Sequence, residues 1–482
     1  MVTSGNRVLL INPNRMKPAT APIALDCLGE SLRKHRFNVD VLDLCFSEEP
    51  IRELDRYFKR SGDPSLIAVT IRNTDDTYYA SQDFCLDHYR NIVNYISVKS
   101  NSAVVLGGSG FSVMPEAILE YFDLSMGIWG EGEYSLPFLL RTLATRGQLS
   151  DVPGLVYRNG NDDFQRNAPL QIDLAKMPPL ARDNVDNVRY FNEGGMVGIE
   201  SKRGCSMRCS YCADPLGKGS KIRLRSPESV AEELASLVDR GIDHFHFCDS
   251  EFNIPASHAD EVCTELIRNG VGKKIRWYAY VSPVPFTEEL ARLFVKSGCA
   301  GLNFGADSGS NTVLRELKRD FTVRDLVNTA DICRKYSIPF MYDLLMGGPG
   351  ETRETLKESV ELMKRISPDR VGVSLGIRLW PGTNLAEMVT SGGSLVENPN
   401  LKGRVTGNQS LLFPIFYLSS KLGMDVDDYL ADLIDRDERF FFGTHEAGDA
   451  NYNYNDNSIL VNAIKNGYRG AYWDILRRLA EK

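Results

Sequence analysis

Gly204-Cys205-Ser206-Met207-Arg208-Cys209-Ser210-Tyr211-Cys212 sets three thiols at C-x-x-x-C-x-x-C spacing, with an aromatic residue, Tyr211, just before the last. Iron–sulfur clusters are held by cysteine thiolates, usually four. Three thiolates can hold three irons of a four-iron cubane, which leaves the fourth iron open to another ligand and to chemistry. The loop follows a strand-like run, Val197-Gly198-Ile199-Glu200, and precedes a helix start, a context that three scattered core cysteines would not share. Cys205, Cys209 and Cys212 are therefore the expected metal ligands.

Outward from this loop, apolar runs alternate with amphipathic stretches. Strands are expected at 197–202, His244–Cys248, Ile275–Val281, Gly301–Gly305, Phe340–Met346 and Arg370–Leu375, with helices between them such as Ser229–Asp239 and Thr352–Ile366. Six such units are too few for a closed eight-stranded barrel, so a partial, open barrel is expected over 196–383. Upstream, Arg7–Asn12, Phe37–Leu44, Leu66–Ile71, Ala103–Leu106 and Leu124–Trp129 alternate with helical stretches such as Pro22–Lys34 and Asp83–Val98. Strands alternating with helices predict a parallel, doubly wound sheet over 1–150. Ligands in such sheets sit at the carboxyl ends of the strands. Polar or glycine-rich clusters fall there: Asn12-Pro13-Asn14, Arg72-Asn73-Thr74-Asp75-Asp76, Gly107-Gly108-Ser109-Gly110 and Gly130-Glu131-Gly132-Glu133.

Residues 151–195 are rich in Gly, Pro, Asn and Asp and read as a linker with a small hairpin around Asn159-Gly160-Asn161. The stretch 384–482 reads as mainly helical, with helices at Val426–Asp435, Ser458–Lys465 and Ala471–Leu479 around an Asn/Tyr-rich loop, Asn451–Asn457.

The composition is that of an ordinary folded chain: 482 residues, 43% hydrophobic and 25% charged. The 56 basic residues against 64 acidic ones give a net charge of −8. That balance argues against a nucleic-acid partner, which calls for a basic face. No apolar run is long enough for a membrane helix, and the opening residues read as leading into a strand and not as a signal peptide. Seven further cysteines (Cys27, Cys45, Cys85, Cys248, Cys263, Cys299, Cys333) are scattered in mostly apolar surroundings. They read as small buried hydrophobes in a reducing, cytoplasmic compartment.

The three-cysteine loop resembles the signature of the radical S-adenosylmethionine (radical SAM) superfamily, in which S-adenosylmethionine chelates the open iron through its amine and carboxylate. The resemblance extends along the second half. Asp249-Ser250-Glu251 follows the second barrel strand, where that family places an acidic segment near the S-adenosylmethionine amine. Phe304-Gly305-Ala306-Asp307-Ser308-Gly309-Ser310 is similar to its G-x-E-S-G-S segment, with Asp307 in place of Glu. Leu345-Met346-Gly347-Gly348-Pro349-Gly350-Glu351-Thr352 is similar to its G-x-P-G-E-T segment. The resemblance implies that Tyr211, Asp307, Ser308, Gly348 and Pro349 contact S-adenosylmethionine.

The first half resembles the cobalamin-binding domain fused in front of such barrels, which implies cofactor contacts from Asn73, Thr74, Gly107, Gly108, Ser109, Gly130, Glu131, Gly132 and Glu133. The family's D-x-H-x-x-G loop, which supplies a histidine to cobalt, is replaced here by Asn12-Pro13-Asn14-Arg15-Met16-Lys17-Pro18. His445 stands in an H-x-x-G context but in the wrong part of the chain. The runs Arg72–Asp76, Cys248–Asn253 and Asn451–Asn457 make the chain most similar to the cobalamin-dependent tryptophan 2-C-methyltransferase group. The implied reaction is polar: cob(I)alamin takes the methyl of S-adenosylmethionine, and methylcobalamin passes it to C2 of an indole. The implied fold is α/β: a doubly wound, Rossmann-like cobalamin-binding domain, a partial (β/α)6 radical-SAM barrel and a mainly helical C-terminal region. The implied cofactors are a 4Fe-4S cluster, cobalamin and S-adenosylmethionine, with a small-molecule substrate and an external electron donor as partners and no membrane.

Alternative readings stand for each catalytic candidate. Glu251 is the fourth ligand of the cluster, a contact to the S-adenosylmethionine amine, or a surface or capping acid. Arg72 either faces cobalt, disfavouring a lower axial ligand, or forms a structural ion pair with Asp75 or Asp76. His244 and His246 share one strand face with no third ligand nearby and read as structural, and His88 lies on a polar helix. The Tyr452/Tyr454 loop either closes over an aromatic substrate or is a plain polar loop. Two other activities are compatible with these motifs: a 5′-deoxyadenosyl-radical enzyme that methylates or cyclises an unactivated carbon, and a non-catalytic cobalamin or cluster sensor.

Overall fold

Arg7–Asn12 (β1) explains the first third of the molecule. Val8 and Leu10 are buried in one apolar cluster and Leu9 and Ile11 in another, so the strand is covered on both faces. Strands of that kind belong to parallel sheets flanked by helices. The computed structural model describes residues 6–160, 163–443 and 457–481. In it β1 is joined by Asn38–Asp43 (β2), Leu66–Thr70 (β3), Ala103–Gly107 (β4) and Met126–Ile128 (β5), all parallel. The hairpin Leu155–Arg158 (β6) and Phe164–Arg166 (β7) completes the order β2-β1-β3-β4-β5-β6-β7.

That hairpin was expected within the linker. Instead β6 pairs antiparallel with β5, Met126 opposite Tyr157 and Ile128 opposite Leu155. Its three apolar residues Leu155, Val156 and Tyr157 are buried, so burial, not turn composition, decides where it belongs. Asn161 lies outside the described residues.

The second sheet starts with Val197–Ile199 (β8). A short ribbon, Lys202–Arg203 (β9) against Arg223–Leu224 (β10), then brackets the cysteine loop. His244–Phe247 (β11), Arg276–Val281 (β12), Cys299–Asp307 (β13), Phe340–Met346 (β14) and Arg370–Leu375 (β15) follow, each parallel to its neighbour. The last two match the expected strands, whereas β13 is longer at both ends than the expected Gly301–Gly305. Alternation sorts the faces. Phe245, Phe247, Trp277, Ala279, Phe304 and Tyr342 pack outward under the helices. His246, Tyr280, Asn303 and Asp343 take the opposite, lumen side, where His246 meets Tyr280 edge-on at 5.7 Å. The helices start where the sequence provides caps. Ser226 accepts from the Ser229 N–H with Pro227 at the first helical position, and Thr287 accepts from the Leu290 N–H.

Past the barrel, Ile377–Arg378 (β16), Leu401–Gly403 (β17) and Ile415–Tyr417 (β18) form a small antiparallel sheet, and Phe440–Phe441 (β19) extends the barrel edge beside β15. The mainly helical region thus carries short strands as well. Its helix Ser458–Lys465 forms as read, and the last, Tyr472–Ala480, lies one residue beyond the expected Ala471–Leu479. Trp473 and Ala471 plug the bottom of the lumen against Tyr278 and Met341, and the Tyr278 hydroxyl donates to Asp474 at 2.9 Å.

Candidate active site

The carboxyl ends of the first sheet face the mouth of the open barrel across a cavity of about 700 Å³. The first sheet contributes Arg72 to Tyr78, Ser109 and Gly110. The cysteine loop contributes Tyr211 and Cys212, the lumen Tyr280 and Ser374, and the last helix Tyr472. Four elements far apart in sequence therefore share one space.

Gly204 opens the cysteine loop at φ +92°, and a Cβ there would lie 2.2 Å from the Lys221 carbonyl oxygen. Only glycine fits both the space and the left-handed backbone. The loop is docked by the Ser210 N–H on the Leu317 carbonyl at 3.0 Å. Its thiols are free. Burial pushes the Cys209 thiol up to about 11 and that of Cys212 up to about 12. Nearby, burial first of all raises the Glu251 carboxyl to about 7, and its Oε2 is buried with no hydrogen-bond partner among the described residues. Among the described residues no three His, Cys, Asp or Glu side chains converge on a single metal ion. A four-iron centre needs no such convergence, because each thiolate takes a different iron. Three free thiols and an orphaned carboxylate oxygen fit such a centre. Thiols with raised pKa values release protons as they bind metal.

The Glu251 loop is held from below. Lys202 Nζ donates to the carbonyls of Glu251, Phe252 and Ile254, the second at 3.1 Å, and the Phe252 N–H donates to the Tyr280 carbonyl at 2.8 Å. Asp249 is a structural acid here: it accepts from the Ser201 N–H at 3.0 Å and the Ser201 hydroxyl at 2.5 Å.

Arg72 is exposed to the cavity. Among the described residues it has no ion pair. Asp75, one of its two expected partners, pairs instead with Arg378 at 3.0 Å, with both side chains buried. The other, Asp76, accepts from the Tyr78 and Asp83 N–H groups, and burial raises it to about 6. Arg72 acts electrostatically on Cys248 and Tyr472 across the cavity. Cys248 is thus no core thiol: it stands accessible at the end of β11.

Asn73 donates to Met16 Sδ at 3.8 Å, and Thr74 lies buried against Asp75. The turn after β4 packs on the Arg72 backbone: Gly108 adopts φ +106°, and a Cβ there would meet the Ile71 carbonyl oxygen at 2.6 Å. The Ser109 hydroxyl donates to the Arg72 carbonyl at 3.1 Å, and Gly107 accepts from the Ile71 N–H at 2.7 Å.

In the run Gly130–Glu133, expected to hold cofactor, both carboxylates meet arginines of the barrel half. Glu133 pairs with Arg203 at 2.7 Å, and Glu131 pairs with Arg223 at 2.5 Å and accepts from the Ile172 N–H at 2.8 Å. Glu200 completes the group on Arg203 at 2.9 Å. These carboxylates clasp the first sheet to the cysteine ribbon, because their helix starts beside two arginines that need counter-charges.

Asp307 ends β13 at φ +57° and accepts from the Tyr211 hydroxyl at 2.6 Å. Ser308 faces inward, paired with the Ser359 hydroxyl at 3.1 Å. Gly348 donates its N–H to buried Glu351 at 3.1 Å, and Pro349 is buried beside it. Sequence reading missed Arg319, Arg378, Lys202 and Arg203. Only the fold reveals their partners. His445 and the Tyr452/Tyr454 loop lie outside the described residues.

Known proteins share this fold. The Radical SAM superfamily model matches residues 199–363. A tryptophan 2-C-methyltransferase from Streptomyces laurentii is 29% identical over 97% of this chain and 95% of its own length. The solved structure of the radical S-adenosylmethionine methyltransferase TsrM from Kitasatospora setae, with tryptophan substrate and a S-adenosylmethionine analogue bound, superposes with a TM-score of 0.92 at 31% identity. It covers 99% of this chain and 98% of that one. A second structure of the same protein, with cobalamin and a [4Fe-4S] cluster bound, gives a TM-score of 0.90 at 30% identity over the same shares of both chains.

Proposed function

The chain belongs to the cobalamin-binding radical S-adenosylmethionine family, and from that membership we propose that it transfers the methyl group of S-adenosylmethionine to C2 of tryptophan. One observation carries the reading: a single cavity joins the Arg72 loop, the cysteine loop and the barrel lumen. A methyl relay needs such a meeting point, because donor, carrier and acceptor must reach one another without solvent between them.

When bound, cobalamin and the cluster supply the group-transfer and redox chemistry that side chains lack. The protein's part is to hold and orient. Cys205, Cys209 and Cys212 are assigned to the cluster. Glu251 is assigned to the open iron, a role its raised pKa and orphaned oxygen support, since a metal would displace its proton. Arg72, Asn73, Thr74 and Ser109 are assigned to cobalamin, and the Arg72 guanidinium, without an ion pair among the described residues, would bring a positive charge to it. Gly107 and Gly108 shape that loop. Tyr211 and Asp307 are assigned to the S-adenosylmethionine side. Tyr78, Tyr280, Trp380 and Tyr472 give the cavity the aromatic walls that an indole ring would stack against.

An external electron donor, no nucleic-acid partner and a cytoplasmic location complete the proposal. The net charge of −8 supports the second. Among the described residues no helix is long and apolar enough to cross a membrane.

The test is an anaerobic assay of cluster- and cobalamin-loaded protein with methyl-labelled S-adenosylmethionine and tryptophan, read by mass spectrometry. Labelled 2-methyltryptophan with S-adenosylhomocysteine and no 5′-deoxyadenosine is the expected result. Stoichiometric 5′-deoxyadenosine, or no methylated indole, would refute it.

A further inference from the structure

Arg319 was invisible as a functional residue in the sequence, yet its guanidinium touches Cys209, Tyr211 and Asp307 at once. Its side chain is 4% exposed. Nη1 donates to Cys209 Sγ at 2.8 Å and lies 3.4 Å from the Tyr211 hydroxyl. Nη2 donates to the Gly305 carbonyl at 2.9 Å, and Nε lies 3.2 Å from the Asp307 carboxylate. The Glu251 carboxylate is 4.0 Å away. The backbone is pinned too: the Arg319 N–H donates to the Leu314 carbonyl at 2.8 Å, one turn from the Leu317 carbonyl that docks the cysteine loop.

Taking the three cysteines as cluster ligands, as proposed above, we infer that Arg319 is the counter-ion that sets the reduction potential of that cluster. An added electron makes a thiolate-bound cluster more negative. A buried, permanently charged donor on a ligand sulfur stabilises the reduced form and raises the potential. Two carboxylates beside the thiols, Glu251 and Asp307, act the other way. Arg319 is the one cation among the described residues that the structure places within 4.0 Å of both and also on a ligand sulfur. All three of its nitrogens face protein groups of this site, so it is a positioning and tuning residue with its donors already directed inward.

The experiment compares the full-length wild type, Arg319→Gln and Arg319→Lys after anaerobic reconstitution. Iron and sulfide are assayed first, and the cluster is then titrated potentiometrically with spin-resonance detection. The expected result is a reduction equilibrium at least tenfold less favourable in Arg319→Gln, about 59 mV for one electron. Arg319→Lys, which keeps the charge and loses the fork, lies between. A potential unchanged in Arg319→Gln overturns the inference. So does an unchanged potential with weakened S-adenosylmethionine binding, which would assign Arg319 to that ligand instead. Should Arg319→Gln take up no iron, Arg319→Lys decides: a lowered potential supports the inference and an unchanged one overturns it. A wild type that binds no cluster overturns the reading of the thiols themselves, and the inference with it.

Discussion

Removing the Asp75 carboxylate should loosen the contact between the Arg72 loop and the small sheet beyond the barrel. Asp75 and Arg378 are 0% and 3% exposed at the side chain and 3.0 Å apart. Arg378 also donates to the carbonyls of Leu379, Leu411 and Leu412 and lies 4.3 Å over Trp380. Asp75→Ala leaves a guanidinium buried without its counter-charge, a loss of about 3–5 kcal/mol. Arg378→Met should be worse. It strands the carboxylate and also up to three carbonyls, each worth about 1–3 kcal/mol when buried and unpaired. Asp75→Asn keeps an acceptor for the Thr77 N–H, now at 3.0 Å, and isolates the charge. Hydrogen exchange over 377–380 and 411–413 is the assay, because it reads local opening in a chain too large for a single unfolding transition. About 3–5 kcal/mol corresponds to exchange faster by roughly two to nearly four orders of magnitude. An acceleration below about tenfold in Asp75→Ala, or a milder effect in Arg378→Met than in Asp75→Ala, would refute the reasoning.

Buried Glu351, raised to about 7 by desolvation, binds more protons folded than unfolded between about pH 4.5 and 7. Wild-type stability should therefore fall as pH rises through that window, by up to about 3 kcal/mol. Glu351→Gln should remove its share of the fall and leave that of Asp76 and Glu251, seen as a melting temperature that declines less steeply between pH 5 and 8. Gly204→Ala places a methyl 2.2 Å from the Lys221 carbonyl oxygen at φ +92° and should sharply reduce the iron bound after reconstitution, with secondary structure by circular dichroism unchanged. Arg203→Met leaves Glu133 and Glu200 facing each other without their shared cation. It should speed limited proteolysis of residues 167–180 several-fold, whereas Arg203→Lys should restore most of the protection.

Legibility followed the range of the interactions. The β14 and β15 strands, the tail helices and the cysteine loop were readable because alternation, caps and ligand spacing are local. The ion pairs of Gly130–Glu133 were hidden for the opposite reason: a glycine-rich strand end looks alike whether it cradles a ligand or clasps a neighbouring domain. Its carboxylates were claimed by Arg203 and Arg223, about seventy to ninety positions away in sequence order. The hairpin β6–β7 read as linker because its turn residues are polar, while its burial against β5 is a tertiary fact.

By itself the sequence determined the α/β class, the order of the two sheets and the three thiols, since each is encoded in a period or a spacing of a few residues. Only the tertiary structure decided that Asp75 belongs to Arg378, leaving Arg72 without an ion pair among the described residues, and that Arg319 closes on Cys209. Only it brought the two sheets to a common cavity. Ion pairs and donor–thiol contacts act over a few ångströms through space, and nothing in linear order reveals which distant charge the fold will bring within that reach.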